Sequence, residues 1–250
     1  MQRREFNHLL NTILKPDAIQ DFCPNGLQVE GREQVKKIVT GVTASQALID
    51  AAIAHNADTI LVHHGYFWKG EAQAITGIKK RRIAALLNHD INLFAYHLPL
   101  DVHPVIGNNA QLAQLLDLEM TEGLEPVANS VAVKGRLKTP MSGEQFAQKI
   151  ARVLNREPLV SLVRDEPIET IAWCTGGGQG YIDLAANQGI DAYLTGEASE
   201  QTIHSSREQH IDFFAAGHHA TERYGIKALG ELLAEQHGFD VTFIDIDNPV

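Results

Sequence analysis

Apolar runs of strand length alternate with helical segments along nearly the whole chain, and this rhythm restricts the fold more than any other feature. Ile38-Val39-Thr40-Gly41-Val42 leads into a helix through Leu48 and Ala52, and then into a strand around Ile60. A helix over residues 78–88 precedes a strand at Leu93, and Leu112, Leu115 and Leu116 mark the helix that follows. The second half repeats the order, with strands at Ile171–Cys174, Ala192–Leu194, Phe213–Ala215 and Val241–Ile244 separated by helices. Such alternation implies an α/β fold of mostly parallel or mixed sheets with crossover helices. The expected organisation is an N-terminal α/β lobe over 1–119, a connecting strand-helix-strand segment over 120–168 and a C-terminal α/β lobe over 169–250. In the connecting segment, Val131–Val133 and Leu159–Val163 read as strands. Ser142 with Gln145 three residues on reads as a capping box that opens a helix.

The two halves also align. Residues 38–65 lie on 171–198 without a gap, with identities at Ile38/Ile171, Gln46/Gln179, Ile49/Ile182, Asp50/Asp183, Ala52/Ala185, Asp58/Asp191 and Leu61/Leu194. With a one-residue shift, His97-x-x-x-Asp101 falls on His218-x-x-x-Glu222. A duplicated unit carrying equivalent His/carboxylate pairs is the expectation. His63-His64 has no histidine counterpart, because Gly196-Glu197 stands there instead.

The chemistry gathers where three strands end, at Val62-His63-His64-Gly65, at His97-Leu98-Pro99-Leu100-Asp101 and at Gly217-His218-His219-Ala220-Thr221-Glu222. In open α/β sheets, ligands bind beyond the carboxyl ends of strands. Imidazole and carboxylate are the usual ligands of zinc, manganese, iron and nickel. Neighbouring histidines in a regular strand face opposite ways, but where the path turns at Gly65, His63 and His64 can diverge toward one cleft and hold two different ions. His218 and Glu222, four apart, share a face if the helix has already started. Pro99 is expected to halt regular structure and turn Asp101 inward. His97 reads as a ligand, a proton shuttle or a partner that holds Asp101. Glu197 and His219 read as supporting groups, and His55, His89 and His237 as surface residues. Residues 175–180, rich in glycine, read as a close-packed turn ahead of a phosphate cradle. Asn25-Gly26 signals a tight turn.

Composition narrows the partners. A net charge of −10, with no basic run beyond Lys79-Lys80-Arg81-Arg82, disfavours nucleic acid. Two cysteines without C-x-x-C spacing argue against a disulfide framework or a thiolate zinc site. The start, through Phe6, Leu9, Leu10, Ile13 and Leu14, reads as an amphipathic helix and not as a signal peptide, and no apolar stretch is of membrane-spanning length. A cytoplasmic protein is expected.

Pro24-Asn25-Gly26-Leu27-Gln28-Val29-Glu30-Gly31, Thr195-Gly196-Glu197 and the three histidine motifs together make the chain resemble the Nif-three-like dinuclear-metal family, labelled GTP cyclohydrolase I type 2 homologues, in its short bacterial form. The resemblance spans essentially the whole chain. It implies two interlocked α/β lobes with two divalent metals in the cleft between them, and assembly into a homohexameric ring. Its motifs assign the metal ligands to His63, His64, Asp101, His218 and Glu222. The activity expected is metal-dependent hydrolysis of a phosphorylated or nucleotide-like small anion, with His97 as acid or base. A non-catalytic metal-binding scaffold needs the same ligands and is the other reading.

Overall fold

The computed structural model describes residues 1–250. The elements in chain order are α1 (Arg3–Leu14), β1 (Gly26–Val29), β2 (Lys37–Thr43), α2 (Gln46–Ala54), β3 (Thr59–His64), α3 (Gly77–Asn88), β4 (Asn92–Ala95) and the short turn α4 (Leu98–Asp101). There follow α5 (Asn108–Leu115), β5 (Leu118–Gly123), β6 (Val133–Met141), α6 (Gly143–Leu154), β7 (Leu159–Ser161), β8 (Ile168–Cys174) and α7 (Ile182–Asn187). The chain ends through β9 (Ala192–Thr195), α8 (Glu200–Gln209), β10 (Asp212–Ala215), α9 (His218–His237) and β11 (Asp240–Phe243). The fold is mixed α/β, with one sheet in the order β1-β4-β3-β2-β11 and another in the order β5-β6-β8-β9-β10-β7. Parallel pairs occupy the middle of each sheet, and β1, β5, β6 and β7 run antiparallel to their neighbours.

Two units partition the chain, residues 1–106 with 225–247 and residues 107–224 with 248–250. These boundaries differ from the contiguous lobes 1–119, 120–168 and 169–250 expected from the sequence, and side-chain packing is the reason. Leu112, Leu116 and Leu118 bury against Phe146, Ile150 and Trp173, so residues 107–119 join the second core. Ile226, Leu229 and Leu233 bury against Phe6, Leu10 and Phe94, and β11 pairs with β2, so residues 225–247 join the first. The strands of segment 120–168 belong to the second sheet.

The internal repeat runs through each unit's framework. Ile38 registers with Thr59 across β2 and β3, and the aligned Ile171 registers with Ala192 across β8 and β9. Asp58 Oδ2 accepts from the backbone N–H of Lys36 and Lys37, and Asp191 Oδ2 from Glu169 and Thr170 at the aligned positions. The correspondence extends beyond the aligned segment. Phe6, Leu10 and Leu14 are the buried face of α1, and Phe146, Ile150 and Leu154 that of α6. Phe6 meets Phe94 edge-on at 5.2 Å, and Phe146 meets Phe214 edge-on at 5.1 Å. Each such pair contributes about 0.5–1.5 kcal/mol beyond its burial.

Three local expectations change. β6 starts at Val133 rather than Val131. The edge strands β1 and β5 carry no long apolar run, so nothing in their composition announces them. Pro99 opens the turn α4 instead of halting structure, because a proline in the first turn has no intrahelical N–H to lose.

Candidate metal centre

In the first unit the fold gathers His63, His64, His97 and Asp101. β3 runs to His64, with His63 fully buried and the two rings 4.5 Å apart. The chain turns at Gly65, where a Cβ would lie 2.1 Å from Gln28 Oε1 and 2.5 Å from Ala95 Cβ. Gln28 Oε1 accepts the Tyr66 N–H at 2.7 Å, so β1 braces the turn that follows the histidines. His97 lies beyond β4, its ring centroid 5.1 Å from that of His63 and 5.7 Å from that of His64. Each of these three imidazoles offers a nitrogen within 4.8 Å of the others. Asp101 closes α4 with its Oδ1 3.5 Å from His63 Nε2.

In the second unit His218 and Glu222 lie one helical turn apart, with Nε2 and Oε2 separated by 3.1 Å. Glu197, next to the end of β9, takes the His218 Nδ1–H at 2.6 Å. Burial opposes the charged imidazole, but the hydrogen bonds and charges of Glu222 and Glu197 outweigh it and push His218 up to about 9. The glycine-rich loop is a close-packed turn. Gly176 N–H donates to Thr221 Oγ1 and Gly178 N–H to Thr195 Oγ1, so these amides serve the protein and not a phosphate. Gly176 has φ +66°, and a Cβ there would stand 2.0 Å from Glu222 Oε1 and 3.0 Å from His218 Nε2. Only glycine leaves that carboxylate its place.

One pattern unites the histidines. His63 Nδ1–H donates to the Tyr96 carbonyl at 3.0 Å, and His64 Nδ1 hydrogen-bonds Thr43 Oγ1 at 3.1 Å. His97 Nδ1–H donates to Asp21 at 2.7 Å, and His218 Nδ1–H to Glu197. A carbonyl or carboxylate partner makes Nδ1 the protonated nitrogen in His63, His97 and His218, whereas Thr43 Oγ1 can donate or accept at His64. At His63 and His218, Nε2 faces a carboxylate, and an engaged Nδ1 with Nε2 toward the site is the arrangement that outer partners impose on metal-binding imidazoles. Nitrogen and carboxylate donors without thiolate suit zinc, manganese, iron or nickel. The residues therefore fit a divalent cation. Asp21, Thr43 and the Tyr96 carbonyl escaped the sequence reading, because nothing in their local spacing points at a histidine distant in the chain. His219 is buried, and its N–H donates to the Val250 carbonyl. His55, His89 and His237 are exposed as expected.

The model of the Duf34/NIF3 family (NGG1p interacting factor 3) matches residues 1–249. The chain belongs to the DUF34/NIF3 family. Among curated relatives, a protein of Haemophilus influenzae named "GTP cyclohydrolase 1 type 2 homolog" is 64% identical over 250 residues, covering 100% of both chains. A Vibrio cholerae protein of the same name is 62% identical over 252 residues, again covering 100% of both. A solved structure titled "protein ybgI, unknown function" is 54% identical with TM-score 0.97 and 100% coverage of both chains. Reduced HcgD from Methanocaldococcus jannaschii is 26% identical with TM-score 0.84, covering 99% of this chain and 98% of that one. Family membership agrees with the resemblance in the motifs and with the mixed α/β fold. No helix is long and apolar enough to cross a membrane.

Proposed function

We propose that this DUF34/NIF3 member is a dinuclear divalent-metal protein that hydrolyses a phosphorylated or nucleotide-like small molecule in the cytoplasm. The proposed ligands are His63, His64, Asp101, His218 and Glu222. The observation that supports the reading is the Nδ1–H of His63 and of His218, held by a carbonyl and a carboxylate, which directs Nε2 to the site. Five protein ligands for two ions leave coordination positions open, as catalysis requires. When bound, paired divalent cations polarise the scissile bond and lower the pKa of water. The chain's own part is to hold donors in place and surrender the His218 proton that the ion replaces. Zinc, manganese, iron and nickel all suit the donors. A homohexameric ring is proposed as the assembly, and light scattering coupled to size exclusion checks it.

The test is to purify the protein with its native metal, count ions per chain, and screen phosphoesters, cyclic nucleotides and GTP with formate detection. Wild type is expected to hold two ions and turn over one member of the panel. His63→Ala is expected to lose both metal and turnover. Stoichiometric metal with no turnover across the panel favours a non-catalytic scaffold. Less than one ion per chain, with added manganese or zinc neither binding nor stabilising, defeats the metal reading.

A further inference from the structure

His97 is held from one side by a buried carboxylate. Asp21 has a side chain only 4% exposed, and its Oδ1 accepts from His97 Nδ1–H at 2.7 Å and from the Phe22 N–H at 2.6 Å. Its Oδ2 accepts from the Leu98 N–H and from Asn25 Nδ2, both at 2.9 Å. Asn25 Oδ1 in turn accepts the His97 N–H at 2.8 Å. Burial opposes the charge on Asp21, but the hydrogen bond and charge of His97, with the donors from Asn25 and Phe22, hold its carboxyl below the usual range. A carboxylate offers about four lone-pair sites, and all of them are used here.

Asp21, Cys23 and His97 form a group of metal-ligand type, but a saturated carboxylate has nothing left for an ion. Burial, followed by the charge of Asp21, pushes the Cys23 thiol up to about 12, so it is not a thiolate. What this group does is fix an imidazole. His63 and His218 each have a carboxylate facing Nε2, at 3.5 and 3.1 Å. His97 has a carboxylate on its Nδ1 side, as His218 has in Glu197, but the Trp68 ring stands edge-on to His97 at 4.8 Å.

We propose that Asp21 is a positioning residue that locks His97 in the Nδ1–H tautomer, so that Nε2 faces the His63–His64 group as a hydrogen-bond acceptor for bound substrate or its water and not as an ion ligand. This rests on the metal reading above. It assigns the segment from Asp21 to Gln28 a task the motif alone does not reveal, since Asn25 steadies His97 while Gln28 braces the turn after His64.

The experiment uses zinc-loaded full-length protein with ¹⁵N-labelled histidine, read by two-bond ¹⁵N–¹H correlation. The ring absent from His97→Gln is expected in the Nδ1–H form in wild type. It should invert or exchange between tautomers in Asp21→Asn and recover in Asp21→Glu. Zinc affinity in Asp21→Asn and His97→Gln should stay within about threefold of wild type, whereas losing a ligand or the partner that orients one costs about 10–100-fold. An Nδ1–H signal that persists in Asp21→Asn, or a tenfold or greater zinc loss in His97→Gln, overturns the proposal. If wild type takes up no zinc and His63→Ala changes nothing, the metal reading falls and the substrate-facing role falls with it. The tautomer of His97 then still reports separately on the Asp21 lock.

Discussion

The nitrogen a histidine can offer depends on what engages the other one. In this chain the partner of Nδ1 differs from ring to ring: a carbonyl at His63, a hydroxyl at His64 and a carboxylate at His97 and His218. Glycine matters as much at this scale, because space beside a donor is part of the site. Gly176→Ala is expected to push Glu222 off its position and lower zinc affinity more than tenfold. The positive φ alone costs about 1–2 kcal/mol of stability. Gly180→Ala is the control, since a Cβ there meets nothing within 4 Å. Isothermal titration of both variants with zinc decides the matter, and equal affinities would refute the steric account.

Elements are pinned by repeated devices. Asp58 and Asp191 each tie the start of one parallel strand to the backbone leading into its neighbour. At Asp191, burial opposes ionisation, but hydrogen bonds from the N–H and hydroxyl of Thr170 and from the Glu169 N–H, with the charge of Arg164, depress the pKa below its ordinary 3.8. A depressed carboxylate stabilises the fold above its unfolded pKa, and that contribution is lost as pH falls through the folded value. Asp191→Asn should cost about 1–3 kcal/mol at pH 7, the price of unsatisfied partners. The gap from wild type in urea unfolding should shrink below about pH 4. A gap that widens in acid would contradict the assignment.

For the whole molecule, the chain exchanges segments between its units. α5, next in line after the first repeat, fills the second core, and residues 225–247, which follow the second repeat, fill the first. A protein ending at Tyr224 therefore leaves Phe6, Leu10 and Phe94 without Ile226, Leu229 and Leu233, and β2 without β11. Each fully buried aliphatic side chain contributes about 1.5–3 kcal/mol, so three together approach the 5–15 kcal/mol stability of a typical domain. The truncated chain is expected to lose cooperative thermal unfolding and to be cut rapidly by protease within residues 1–106. A cooperative transition equal to wild type would show that unit 1 does not need these residues.

The sequence by itself determined the α/β class, most of the central strands and helices and the repeat over 38–65 and 171–198. Buried strands and amphipathic helices write their own periodicity, so these were legible. It also singled out His63, His64, His97, Asp101, His218 and Glu222, because imidazoles and carboxylates stand out at the ends of apolar runs. Only the tertiary structure decided that Asp21 belongs to His97, that Pro99 starts a turn, that the Gly176 loop makes room for Glu222 and that α1 and α6 are equivalent. These depend on partners far apart in the chain, where no local spacing carries the information. The division into units was hidden for the same reason. A helix records which of its faces is apolar, but not which of two similar cores that face will cover.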